Sequence, residues 1–512
     1  MKSVSSLLRR CWIQAFALGV GVLACSSGVM AQDAAASVPV AADAPVIDTG
    51  STAWLLVSSA LVLLMLPGLA LFYGGMVRAK NVLNTFLNVM VCCGLLAVIW
   101  LVVGYALVFP VVDAVDGDGK PVVNSLMTMG TNPLPDPADA SKTIDTTVSL
   151  LGFDSNLMML HALSTPAEVT NGVVTKNPGW TSIVTSGDTV GAKPTGVPEL
   201  LFAVFQGMFF IITPALIVGA VAERVRLLPL LIFLGVWSIV VYAPVAHMVW
   251  NVNGYLFQKG VLDFAGGTVV HVLAGVSALA LCIVVGPRVG WGKTPMAPHS
   301  LGYTLIGAGL LWFGWFGFNA GSAIAIGGSD HPVAGGRAVL AFANTLFAPA
   351  AAGLAWMIVE WLKDGKPTIL GFASGVVAGL VVITPCAGHV GVGSTLLIGA
   401  LGGVICYFGC QLKKVLKYDD SLDAFGVHGI GGALGALLVG YFVITPFAGG
   451  MDQVVKQATG LAIAAVFAFT VSLGLGYAIK YTIGIRAKET DEQEGLDVTL
   501  HGETGYNLSV SA

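Results

Sequence analysis

Charge is what this sequence has least of. Its 24 Lys and Arg and 28 Asp and Glu make up only 10% of 512 residues, against about 25% in a soluble domain. An ordinary water-facing globule is excluded. The formal balance of -4 carries no basic excess, so there is no footprint for nucleic acid. Cysteine is missing where a secreted scaffold would need it, because residues 111–197 contain none, and a disulfide framework is excluded. Cys406 and Cys410 share a helix face without nearby histidine or acidic partners, and they read as small core residues rather than metal ligands. No Asp or Glu sits deep in any apolar run, so coupling through a buried carboxylate has no residue to use.

Apolar residues fill the space that charge leaves, at 56% hydrophobic with 66 glycines. Small residues let membrane helices approach closely. The reading is an all-α polytopic membrane protein. Lys2, Arg9 and Arg10 precede an apolar stretch from Cys11 to Cys25, with small residues for cleavage near Ala31, which is the pattern of a secretory signal peptide over 1–31. A short Ala/Asp/Pro-rich segment, 32–50, would follow on the outside.

Apolar runs long enough to cross about 30 Å occur near 52–76, 82–110, 198–222, 228–250, 264–286, 300–322, 336–361, 367–385, 392–415, 425–445 and 457–484. These eleven expected transmembrane helices form a membrane domain over 51–484, with an insertion at 111–197 and a C-terminal tail at 485–512. An outside N-terminus puts the tail in the cytoplasm. The basic residues agree: Arg78, Lys80, Arg224, Arg226, Arg288, Lys293, Lys413, Lys414 and Arg486 fall on the expected inner side, while the short outer loops hold only Lys259, Arg337 and Lys456.

Two histidines, His271 and His428, lie inside these runs. Ionisable side chains in a bilayer are costly and face a bundle interior or a cavity. His271 follows Asp263 by eight residues on a run going inward, and His428 follows Asp420 by eight on a run going outward. At about 1.5 Å per residue each lies about 12 Å from its own surface, so both approach the midplane. They stand on the fifth and tenth runs, beside Phe264-Ala-Gly-Gly and Phe425-Gly. That points to two inverted five-helix repeats plus a final helix, with the site between them. A haem held by both histidines needs only two ligands, but membrane cytochromes carry several such pairs, and no cofactor is expected.

Other motifs dissolve. Asp116-Gly-Asp118-Gly119 lacks the later ligands of a calcium loop and reads as a turn. Gly290-Trp-Gly292-Lys293-Thr294 has Pro287 where a phosphate loop needs glycine. At the ends of the runs, however, Trp250, Phe209, Phe318 and Ser322 collect aromatic faces and one hydroxyl, which suits a small cation able to donate hydrogen bonds.

Pro67-Gly-Leu-Ala-Leu-Phe-Tyr-Gly-Gly75, Phe205-Gln-Gly-Met-Phe209, Ala246-His-Met-Val-Trp250, Asp263-Phe-Ala-Gly-Gly-Thr-Val-Val-His271, Gly314-Trp-Phe-Gly-Phe-Asn-Ala-Gly-Ser322 and Phe425-Gly-Val-His428-Gly together resemble the ammonium transporter (Amt) family of the Amt/Mep/Rh superfamily. The resemblance runs from about residue 52 to the end. It implies no enzyme, but an ammonium uptake transporter of the inner membrane, built as a homotrimer with one pore per subunit. It implies ammonium recruitment at Trp250, Phe209 and Ser322, a gate at Phe209 and Phe318, and a twin-histidine pore and proton relay at His271 and His428. Asp263 is implied as structural support. The long insertion and Asn251, where glycine is common, depart from the family pattern.

Solvation then suggests the mechanism. A bare cation cannot cross an apolar pore uncompensated, so ammonium is expected to shed its proton and pass as ammonia, with the proton's own route left open. Two alternatives remain, a Rhesus-type gas channel and an ammonium sensor. The resemblance implies that a PII-type signalling protein docks at the tail, Glu494-Gly-Leu-Asp-Val-Thr-Leu-His-Gly-Glu503. As plain composition the same residues are an acidic, solvated tail. The insertion has no cysteines, catalytic groupings or long apolar runs, so deleting about residues 115 to 185 is expected to leave a transporting trimer.

Overall fold

The computed structural model describes residues 46–115, 121–136, 139–170, 173–190, 193–325, 334–444 and 449–506. The expected signal peptide, residues 32–45 of the segment after it and the whole Asp116–Gly119 turn lie outside the described residues. Among these, ten helices are long and apolar enough to cross a bilayer. They are α1 (Thr49–Met76), α2 (Ala79–Val108), α3 (Glu199–Val221), α4 (Leu227–Trp250), α5 (Gly267–Val285), α6 (Leu301–Ala323), α7 (Gly336–Asp364), α9 (Val392–Leu416), α10 (Phe425–Phe442) and α11 (Met451–Thr482). Between α7 and α9 stands α8 (Ile369–Ile383), only 15 residues long. At 1.5 Å per residue it measures about 22 Å, short of a bilayer core of about 30 Å. Among the described residues ten of the eleven expected runs are thus helices of full length, and the eleventh, 367–385, is the shorter α8. Val376 to Ile383 are buried throughout while Ile369 is exposed, so neighbouring helices cover the C-terminal half of α8.

Helix starts follow from capping chemistry. The Asp48 carboxylate accepts from Ser51 N at 2.7 Å to begin α1, and the Thr368 hydroxyl accepts from Gly371 N at 2.8 Å to begin α8, each meeting an orphan amide of the first turn. Packing between α1 and α6 needs absent side chains: a Cβ on Gly307 would lie 2.3 Å from Phe72 N. That is the close backbone approach that glycine permits between membrane helices.

The insertion is built of strands, which the sequence reading does not anticipate. β2 (Asp113–Val115) pairs with β3 (Pro121–Val123) and β6 (Glu168–Thr170) with β7 (Val173–Lys176), while β4 (Ser125–Asp136) and β5 (Asp139–Gly152) form a longer antiparallel hairpin. β8 (Ile183–Val190) and β9 (Lys193–Pro198) form another, with β1 (Val46–Ile47) added in parallel to β9. These elements mark the insertion face of the molecule.

The opposite face carries the tail and a buried ion cluster. Arg288 donates to Asp419 at 2.9 and 2.8 Å and to Glu223 at 2.9 Å, while Arg78 donates to Glu223 at 2.9 Å. Burial works against the charge on Glu223, but the Arg78 hydrogen bond and the Arg288 charge hold it below its ordinary range. Asp419 is held low in the same way, against burial, by its hydrogen bond from Arg288 and the charge of Arg224. Carboxyls with lowered folded pKa stabilise above the usual carboxylate range, and that stability is lost as pH falls through the lowered values. Removing one partner of a buried pair costs about 3–5 kcal/mol. Arg288→Ala is therefore expected to lower the thermal midpoint in detergent at pH 7 sharply and to shrink the further loss on acidification, because the folded pKa values of Glu223 and Asp419 move back up toward their unfolded ones. An unchanged midpoint would show that the cluster does not hold these helix ends together.

The tail is not simply solvated, which corrects the reading from composition. Glu492 and Asp497 are each 1% exposed and Leu496 is fully buried. Glu492 takes Arg486 at 2.6 Å, and Asp497 accepts from Leu83 N and Asn84 N at 3.1 and 2.8 Å. Asp497 caps the start of α2, and Glu492 is buried against Arg486 and Val289 N.

Candidate functional site

Asp263 shapes the start of α5. Its two carboxylate oxygens accept from Gly266 N at 3.0 Å, Gly267 N at 2.6 Å, Thr268 N at 2.9 Å and Val269 N at 2.9 Å. Those are the orphan amides of a helix N-terminus, and a carboxylate is favoured there. Gly266 takes φ +110, a conformation that glycine adopts without steric cost. From its carbonyl the chain winds into a wide π-turn, with Val270 N and His271 N both at 2.9 Å from Gly266 O. Asp420 repeats the device at α10, accepting from Ala424 N and Phe425 N at 3.1 and 2.8 Å ahead of a π-turn that carries His428.

Crossing of α5 and α10 brings the two rings together. A Cβ on Gly275 would lie 2.1 Å from Gly429 N, so the helices meet backbone to backbone one turn after His271 and immediately after His428. His271 Nδ1 and His428 Nδ1 stand 3.2 Å apart, with the rings within 18° of parallel. One nitrogen must donate and the other accept, so the pair shares a single proton between them. The His271 ring also lies against Trp315, centroids 5.3 Å apart, and its Nε2 is buried with no partner among the described residues.

Toward the insertion face, Phe209 and Phe318 close the way with ring centroids 4.4 Å apart. Trp250 stands edge-to-face on Phe209 at 5.8 Å, and its indole N–H is held by Asp263 O at 2.9 Å. Ser322 Oγ donates to Phe318 O at 2.8 Å, so its own proton is committed and its lone pairs face outward as acceptors. Trp250, Phe209, Ser322 and Asp263 line one open cavity. The structure thus brings every predicted site residue into one line.

Three cavities follow that line. Beyond Phe318 lies a second, almost wholly apolar cavity lined by Leu69, Phe72, Ile212, Leu311, His271 and His428 among others. A third opens from His428 toward the tail face past Tyr73, Glu360 and Asp423. Sequence reasoning missed several walls of the first cavity, namely Phe109, Gln206, Phe257 and His389. Gln206 had a signal, as the lone polar side chain in Phe205-Gln-Gly-Met-Phe209. Its Oε1 has no partner among the described residues. His389 takes a hydrogen bond at Nδ1 from Arg337 at 3.0 Å and packs edge-to-face on Phe264. Among the described residues no cluster of histidine, cysteine and acids is placed to hold a metal.

A family model described as Ammonium Transporter Family matches residues 53–126 and 167–506. The ammonium transporter of Mycobacterium tuberculosis is 40% identical over 488 residues, covering 91% of this chain and 92% of that protein. Among solved structures, Saccharomyces cerevisiae Mep2 superposes with TM-score 0.66 at 29% identity over 91% of this chain and 93% of its own. A structure described as a Sensor Amt Protein gives TM-score 0.68 at 25% identity over 88% and 97%.

Proposed function

Because this chain belongs to the ammonium transporter family, we propose that it takes up ammonium by collecting the cation at the Trp250 cavity and conducting ammonia past the paired histidines. One observation carries the reading: a cavity with aromatic faces and bare acceptor oxygens lies across the Phe209 and Phe318 rings from a second cavity that is apolar apart from two imidazoles. In the first, Trp250 and Phe209 offer π faces to the cation, an attraction of about 2 kcal/mol when desolvated. Ser322 Oγ and Gln206 Oε1 accept its N–H groups. In the second nothing replaces the hydration of a charged ion. The cation therefore releases its proton at the Phe209 and Phe318 closure, and neutral ammonia crosses the lumen.

The imidazole pair gives the proton a route of its own. A proton taken up at His271 Nε2 displaces the shared Nδ1 proton toward His428, which releases one from its far nitrogen. The pair titrates as a unit, and one charge is moved per ammonia. In this reading the insertion face is outside, the tail is cytoplasmic in the inner membrane, three chains assemble, and a PII-type protein docks at the tail.

A second reading, a sensor whose output is a partner protein, draws on the likeness to the Sensor Amt Protein. Ammonium-evoked current in liposomes with the purified protein separates the two, since a pure sensor gives none. Within the transporter reading, Trp250→Leu is expected to raise the half-saturating concentration for ammonium or methylammonium up to about tenfold. An unchanged concentration dependence would remove Trp250 from the collecting site.

A further inference from the structure

The family match passes over residues 127–166, yet this stretch is hydrogen-bonded to the helix turn that carries Trp250. His247 is fully buried in the last turn of α4, three residues before Trp250. Its Nδ1 lies 2.8 Å from Val108 O, and a carbonyl can only accept, so Nδ1 holds the ring proton. Nε2 is then an acceptor, and the hydroxyl of Ser149 on β5 stands 2.7 Å from it. Ser149 is itself fully buried, and its N–H donates to Asn253 O at 2.8 Å.

The far side of Trp250 is tied in as well. Asp113 Oδ2 accepts from Thr147 N and from Asn253 Nδ2, both at 2.9 Å, and Asn251 Nδ2 donates to Pro110 O at 3.0 Å. At Gly152, the last residue of β5, an added Cβ would lie 2.2 Å from Pro110 Cγ and 2.9 Å from His247 Cε1. β5 thus touches the His247 ring by a hydrogen bond and by close packing.

We propose that the insertion is a working part of the cation-collecting site, with Ser149 as a positioning residue that acts through His247 on the Trp250 ring. The inference rests on the reading of Trp250 as the collecting face. The backbone turn under the indole closes through Asn251 N to His247 O at 3.1 Å, so the His247 ring and the Trp250 ring move on one turn. Without the Ser149 hydroxyl, His247 Nε2 is left buried and unpaired, a cost that the turn relieves by shifting. Cation-π attraction depends on the distance of the ring face, so the shift is felt in affinity. The lumen beyond Phe318 is untouched, so the maximal rate stays. Deleting residues 115–185 removes Thr147 and Ser149 with the rest, so the transporting trimer expected after that deletion should carry a weakened affinity.

The test is ammonium-evoked current against concentration in liposomes of the full chain. Ser149→Ala is expected to raise half-saturation about three- to tenfold while maximal current per reconstituted chain is kept. Gly152→Ala, which presses on the same ring without removing the hydrogen bond, is expected to act in the same direction and decides the matter if Ser149→Ala does not fold. In a His247→Phe background, Ser149→Ala should add nothing further. Unchanged half-saturation in Ser149→Ala, or an equal effect with and without the His247 imidazole, overturns the positioning role. Where only Gly152→Ala yields protein, its unchanged half-saturation does the same. Trp250→Leu runs alongside: if it alone shifts, only the positioning role is rejected, and if it too is unchanged, the collecting site itself is misassigned.

Discussion

Asp263→Ala is expected to abolish ammonium-evoked current, by at least about 100-fold per reconstituted chain. The substitution orphans four buried amides at once. Even at the low end of about 1 kcal/mol for each unsatisfied group the total is about 4 kcal/mol, or nearly three decades in the population of the ordered turn. That turn aims His271, and the same residue's carbonyl holds the Trp250 indole, so collection and conduction should fail together. Asp263→Asn separates a cap from a charge. The amide keeps one acceptor oxygen for two of the four N–H groups, so a cap predicts a large loss that an added positive charge does not mimic. A purely electrostatic carboxylate predicts weaker half-saturation with maximal current kept. The geometry favours the cap, because both oxygens are already saturated by backbone. Wild-type current in Asp263→Ala, measured in liposomes with protein quantified, would refute it.

Much of this arrangement is legible in the chain, and the reason is periodicity. An aspartate eight residues before each histidine, at the starts of the fifth and tenth apolar runs, sets depth by helical rise alone, and both carboxylates do cap the turns that carry those rings. Trp250, Phe209, Phe318 and Ser322 were legible because a polar or aromatic side chain stands out in an apolar run. What local pattern could not show is pairing across long separations. Glu492 and Asp497 look like solvated acids, since nothing near them in sequence reveals that Arg486 and the first turn of α2 will cover them. Ser149 looks like an ordinary loop serine, and its partner His247 lies 98 residues away. His389 enters the first cavity from a loop between α8 and α9, where hydropathy carries no directional signal. The 15 residues of α8 give the same signal as a longer span because hydropathy records an aversion to water. That aversion is the same for lipid-facing and protein-buried residues.

Single alanine variants of His271 and His428 are each expected to lose most of the ammonium-evoked current, and the double variant is expected to be little worse than either. The two Nδ1 atoms stand 3.2 Å apart in a cavity lined otherwise by apolar side chains. His271 Nε2 already lacks a partner among the described residues, so His428→Ala leaves that ring with both nitrogens unpaired in a dry lumen. Buried polar groups are costly in that state, and the ring is expected to reorient or admit water, which breaks a relay that needs an ordered pair. His271→Ala breaks the same relay at its entrance. Once one member is gone the other has no function left to lose, so the losses do not multiply. Histidines that merely packed the crossing of α5 and α10 would behave differently, lowering folded yield while current per surviving chain stayed normal. The decisive measurement is current per reconstituted chain for wild type, His271→Ala, His428→Ala and the double variant, beside folded yield for each. Multiplicative losses, or wild-type current in either single variant, would reject the coupled pair and leave the membership of the family untouched, because that rests on the match over residues 53–126 and 167–506.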